Sequence, residues 1–161
     1  MKAFRATALV TFMLLPLLCS TAFAQAVPAT TYSPQELIHI ADQMREQAKS
    51  SKAPDTGIVE KFLDASTIIA SRDRDGQAEL HQRAEDVFVV LQGEATLVSG
   101  GTIVDPRTTA PNEVRGASVQ GGTRKSLREG NIVHIPANVP HQLLVRHGTL
   151  FTYFVVKVPV K

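Results

Sequence analysis

The sequence holds a single cysteine, Cys19, in 161 residues. A chain with one thiol cannot cross-link itself, so its stability has to come from an apolar core, to which a bound metal could add. Basic tracts are also missing. The formal charge of +2 counts Lys2 and Arg5, and without them 15 of the 17 basic residues remain against 15 acidic ones. With no Lys/Arg-rich tract and no interleaving of aromatic and basic residues, nucleic-acid binding is not expected. The apolar run from Ala6 to Leu18 is short and contains Pro16, which argues against a retained membrane span. The alternation of strand and helix that marks a parallel α/β sheet is absent as well.

What the N-terminus does contain is a processing pattern. Lys2 and Arg5 precede the apolar run, and Ala22-Phe23-Ala24 places small residues where a signal peptidase reads them. Residues 1–24 are therefore expected to be a signal peptide, giving a mature chain from Gln25 in the periplasm or outside the cell. Leu17-Leu18-Cys19 is similar to a lipoprotein cleavage site, but Leu18 stands where a small residue is needed, and ordinary cleavage is favoured. A Pro- and Thr-rich leader follows over 26–32. Ser33-Pro34-Gln35-Glu36 then has the form of a capping box with Pro at the first helical position. Leu37, Ile40, Ala41, Met44 and Ala48 recur at helical spacing and predict a helix over 34–49 with an apolar stripe. His39 falls on its polar side, where solvation is the expected fate. Residues 50–57 read as a linker.

From Ser66 onward the pattern is β. Strands are expected over 67–71, 77–81, 86–91, 95–99, 132–135, 141–146 and 150–158, separated by turn signals such as Arg74-Asp75-Gly76, Gly100-Gly101 and Gly121-Gly122. Short strands between turns predict an antiparallel barrel or sandwich. Side chains alternate along a strand, so His141, Leu143 and Val145 share the inner face and Arg146 is left in solvent. Glu79 and His81 point the same way for the same reason. Asp86 joins them only if the chain turns between Gln82 and Glu85; a strand running straight through would present Glu85 instead. Asp86 is preferred because Phe88 and Val90 then line the interior beside it. His134 alternates with Ile132 and is either a cavity-lining proton-transfer group or a packed or exposed strand residue.

Gly130, Pro136, Asn138 and His141 resemble, in type and spacing, the second motif of the small single-domain cupins, with Asn138 where that family usually has Gly. Asn tolerates positive φ better than other residues with a side chain. Glu79, His81, Asp86 and Gly93 resemble the first motif, with Glu79 in the place of its first His, while Gly76 breaks the usual opening spacing. The resemblance implies an all-β fold, an antiparallel double-stranded β-helix (a cupin or jelly-roll barrel) with one N-terminal α-helix. The domain plan is then a signal peptide over 1–24, leader and helix over 25–64, and the barrel over 65–161. A long insertion near 99–128 separates the motifs, either as a solvated hairpin or as a lid or intersubunit arm.

The resemblance also implies a metal set of Glu79, His81, Asp86 and His141 holding a divalent Fe, Mn or Zn ion. Glu79 is either the fourth ligand or, if detached, a general base; with His134 it is one of two candidate catalytic residues. Two functions follow from different classes. One is an exported metal-dependent enzyme acting on a small oxygen-rich molecule, of the dioxygenase, isomerase or lyase type. The other is a non-catalytic periplasmic protein binding a small molecule or a metal. A homodimer paired through strand edges is compatible with both.

Overall fold

The computed structural model describes residues 29–50, 58–62 and 66–161. The expected signal peptide, residues 25–28 at the start of the leader and the segments 51–57 and 63–65 lie outside the described residues. All described elements from Thr31 onward belong to one compact unit. Helix α1 (Pro34–Ser50) begins where the sequence places its cap. The Glu36 amide donates to Ser33 Oγ at 3.2 Å, and Glu36 Oε2 accepts the Ser33 amide at 2.7 Å, so two helix-end donors are satisfied reciprocally. Leu37 and Ala41 are buried against Ile69 and Leu91 of the sheet beneath. The apolar stripe therefore serves as packing surface for the outer face of that sheet, while His39 stays exposed.

The strands are β1 (Ile58–Phe62), β2 (Thr67–Arg72), β3 (Ala78–His81), β4 (Ala84–Gln92), β5 (Glu94–Ser99), β6 (Thr102–Val104), β7 (Arg107–Ala110), β8 (Glu113–Gly116), β9 (Ser118–Gln120), β10 (Thr123–Arg128), β11 (Ile132–Ile135), β12 (His141–Leu144) and β13 (Phe151–Pro159). One sheet has the order β1-β2-β13-β4-β11 and the other β10-β5-β12-β3-β8-β7, while β6 and β9 form a separate pair. Every pairing is antiparallel. The chain crosses from one main sheet to the other at β2–β3, β3–β4, β4–β5, β10–β11, β11–β12 and β12–β13, which is the winding of a double-stranded β-helix. Antiparallel sheets with one face inward need alternating apolar residues, and β13 supplies them: Phe151, Tyr153 and Val155 are buried in the central core. Full burial of a Phe side chain such as Phe151, at 0% exposure, stabilises by about 1.5–3 kcal/mol.

Two features differ from the sequence reading. Strand β1 extends the first sheet before residue 66, where no strand is expected. The long insertion is also not one excursion: β10 pairs with β5, β8 pairs with β3, and β7 closes a hairpin onto β8. Asn112 takes the positive φ, 64°, that this hairpin turn demands. Gly116 lets β8 lie against β6, since a Cβ there would come within 2.4 Å of the Val104 carbonyl oxygen. The insertion is thus a wall of the barrel.

Candidate metal centre

Glu79 and His81, two apart on β3, project into the interior together. The chain bends at Gln82-Arg83 before β4, and this break in parity turns Asp86 inward as well. His141 enters as the first residue of β12, opposite Glu79 in the strand register. Asn138, at φ 63°, ties the preceding turn to the first cluster, because its amide donates to the His81 carbonyl at 2.8 Å. His81, Asp86 and His141 are all buried. His81 Nε2 stands 3.1 Å from Asp86 Oδ2 and 3.6 Å from Glu79 Oε2, and His141 Nε2 stands 3.7 Å from Asp86 Oδ2. Donor atoms of Glu79, His81 and His141 lie within 4.8 Å of one another.

The far side of each ring is held. His81 Nδ1 donates to Glu113 Oε2 at 2.5 Å, and His141 Nδ1 donates to the Val139 carbonyl at 3.0 Å. A neutral imidazole with its proton on Nδ1 presents a lone pair at Nε2, and an Nδ1 acceptor is the usual support for a metal-bound His. Both Nε2 atoms face the carboxylates, so the donor chemistry fits a divalent ion. Cationic side chains crowd the same place. Lys157 Nζ stands 3.0 Å from His81 Nε2 and donates to Asp86 Oδ1 at 3.0 Å. Arg115 Nη1 donates to Glu79 Oε1 at 2.7 Å, and Arg72 Nη2 lies 3.6 Å from the same oxygen. Arg72 Nε also donates to the Tyr153 hydroxyl at 2.7 Å.

Protonation follows from these contacts. Burial alone would raise Glu79, but its hydrogen bond to His81 and the charges of Arg115, His141 and Arg72 bring it down to about 2. Burial also opposes ionisation of Asp86, yet His81 and Lys157 hold it below the usual range. For His81, burial favours the neutral ring, whereas hydrogen bonding to Asp86 and Glu79 raises its pKa to about 9. An imidazolium would turn an N–H toward the Lys157 ammonium, so protonated His81 and the Lys157–His81 hydrogen bond exclude one another. His141 is pushed down, chiefly by burial.

A cavity of about 300 Å³ opens beside the cluster, walled by Arg72, Phe88, Thr109, Tyr153, Val155 and Lys157 together with the acidic residues. Three residues of the expected metal set, Glu79, His81 and His141, thus form one cluster of donor atoms, and Asp86 lies beside its two histidines. His134 is not: it lies on the outer face, where its Nε2 pairs with Glu85 Oε2 at 2.9 Å, both side chains in solvent contact. Of the two alternatives for His134 the structure shows the exposed strand residue, and its candidacy as a catalytic group is corrected by parity, since it shares the outward face with Ile132, which is 73% exposed. The same pairing takes Glu85 out of the site. Glu113, Arg115, Arg72 and Lys157 were not foreseen. Lys157 carried a signal, a lone Lys at the same parity as Tyr153 and Val155 on an apolar strand.

No protein-family model matches the chain. No curated protein matches it either. Among solved structures it is similar to the DMSP lyase DddQ from Ruegeria pomeroyi, at 17% identity over 58% of this chain and 39% of that one, with a TM-score of 0.40. It is similar to KdgF from a Halomonas species at 15% identity, covering 68% and 87% of the two chains, with a TM-score of 0.46. A conserved Klebsiella pneumoniae protein with a double-stranded beta-helix domain aligns at 12% identity over 82% and 91%, with a TM-score of 0.49. The chain spans about two-fifths of the length of the DMSP lyase. The fold is the cupin-type double-stranded β-helix, and that assignment rests on the strand order of this chain's own two sheets.

Proposed function

We propose that this protein is an exported metal-dependent enzyme that transforms a small oxygen-rich molecule in the barrel. One observation carries the reading: two buried imidazoles, each anchored through Nδ1, turn Nε2 toward one carboxylate, Asp86, with Glu79 in the same cluster. Glu79, His81, Asp86 and His141 would hold a divalent Fe, Mn or Zn ion, and oxygen donors beside imidazole suit all three. When bound, such an ion polarises a carbonyl or enediol oxygen and lowers the barrier to proton removal or oxygen attack. Around it, Arg72 and Tyr153 stand on the cavity wall, placed to bind and orient a polar oxygen of the substrate. Phe88 and Val155 exclude water from the same wall. Glu79, already ionised, is the residue placed to accept a proton if it leaves the ion.

Export is inferred from the N-terminal pattern, with the periplasm or the exterior as destination. A homodimer is inferred from the open sheet edges, notably β7, whose residues are all exposed. The experiment is metal analysis of the purified protein, repeated on His81→Ala and His141→Ala, then a turnover screen of sugar acids, keto acids and phenolic compounds. Stoichiometric metal lost in both variants, with turnover of one class, supports the reading. Metal-free protein that cannot be reconstituted overturns it.

A second reading has its own support. Glu79 is already paired with Arg115 and Asp86 with Lys157, so the acidic wall is neutralised without an ion. A non-catalytic binding protein of the periplasm, taking a small molecule in the same cavity, is the function that arrangement favours. Bound ligand without turnover would identify it.

A further inference from the structure

Lys157 stands opposite Asp86 in the register of β13 and β4, so its backbone is fixed at the wall of the site. Its side chain crosses from that wall to the ligand cluster and remains 23% exposed at the cavity, whereas Asp86 beneath it is only 3% exposed. The ammonium nitrogen stands 3.0 Å from His81 Nε2 and donates to Asp86 Oδ1 at 3.0 Å. These are two of the atoms an ion would need. With its Nδ1–H committed to Glu113, the neutral His81 ring that an ion requires has one lone pair, at Nε2. That lone pair can accept a hydrogen bond from Lys157 or ligate a metal, but not both. A metal–imidazole bond of about 2.0–2.1 Å also leaves no room for a second cation 3.0 Å from the same nitrogen.

We infer that Lys157 is a built-in competitor for the metal position, an ammonium that holds the site closed to an ion and must swing away for one to bind. The inference rests on the metal-binding reading above and adds the residue that sets the affinity. The flexible four-carbon stem and the exposure of the side chain allow the swing, because the ammonium can retract toward the cavity and be hydrated there. Lys157 is a charge that comes and goes beside the ligands and is not one of them. Its presence keeps Asp86 paired in the ion-free protein, where an unpaired buried carboxylate would be costly. The same pairing weakens ion binding, since every ion that enters must first displace it and then sit near it. The other two cations, Arg115 and Arg72, engage Glu79.

The test is a calorimetric titration of Zn²⁺ and of Mn²⁺ into metal-stripped full chain, comparing wild type with Lys157→Met and Lys157→Arg. Lys157→Met keeps the length and removes the charge, and it is expected to bind at least about tenfold more tightly. Lys157→Arg keeps the charge and is expected to stay within about threefold of wild type. Should Lys157→Met fail to fold by circular dichroism, Lys157→Gln is read in the same way. His81→Ala, run in parallel, reports whether the titrated site is this one. Wild type and Lys157→Met binding equally at a His81-dependent site would overturn the competitor role and leave the metal reading intact. Absence of ion binding in every variant would overturn both.

Discussion

Glu113 accepts the Nδ1–H of His81 at 2.5 Å although the two residues lie 32 positions apart in the chain. They face each other because β8 pairs with β3 in a register that sets Glu113 opposite His81 and Arg115 opposite Glu79. The segment between the two motifs therefore supplies the groups that orient and charge-balance the site. Glu113→Gln should lower ion affinity about 10–100-fold while leaving the fold intact, as removal of such supporting partners generally does. Calorimetry with a circular dichroism melt separates the two effects.

The pH dependence has a definite sign. The pKa of His81 is raised to about 9 in the ion-free protein, from an ordinary value of 6.5. A proton bound more tightly in the folded state stabilises the fold fully below 6.5, and that contribution is lost as pH rises through about 9. An ion needs the ring neutral, so binding must expel this proton and affinity should climb with pH toward about 9. Titrations in buffers of different ionisation enthalpy measure the released proton directly. A pH-independent affinity between 6 and 8, each an approximate bound, would contradict the assignment of His81 as ligand.

Two glycines of the motif pattern should behave differently. Gly130 has φ +81° in open space, so Gly130→Ala is expected to cost about 1–2 kcal/mol of conformational strain alone. Gly93 has φ +82° and a would-be Cβ only 1.9 Å from the Leu150 carbonyl oxygen, and Gly93→Ala should cost about 1–3 kcal/mol more for overpacking. Urea unfolding of both variants gives the ranking, and equal losses would be inconsistent with the close approach at Gly93.

His134 offers a contrast with the buried histidines. Its pair with Glu85 is exposed, so His134→Ala should change stability by less than about 0.5 kcal/mol and leave ion binding unchanged. Loss of ion binding in this variant would contradict a metal site inside the barrel.

Much of this architecture was legible beforehand, and the physical reason is locality. The helix cap at Ser33, the positive φ of Asn138 and the turn that brings Asp86 inward are all decided by a few adjacent residues. Strand parity then extends each choice along β3, β4 and β12. What stayed hidden depends on pairing between distant strands. Nothing near Glu113 or Arg115 announces that their strand lies beside β3, because register is set by tertiary packing. Gln142 shows the limit of parity itself: it shares the outward face with Arg146, yet it is buried, donating to the Gly76 carbonyl at 2.8 Å and accepting the Val119 amide at 3.1 Å. Lys157 was readable as inward-facing, but only the folded chain shows that it reaches the same nitrogen an ion would use.

The most direct test is anomalous diffraction, collected at the absorption edge of the added metal, from crystals grown with Mn²⁺ or Zn²⁺. The account predicts one strong peak at about 2.0–2.2 Å from both His81 Nε2 and His141 Nε2, with a carboxylate oxygen of Asp86 or Glu79 beside it. No peak between the two imidazoles, or a peak only at the surface pair of His134 and Glu85, would contradict it.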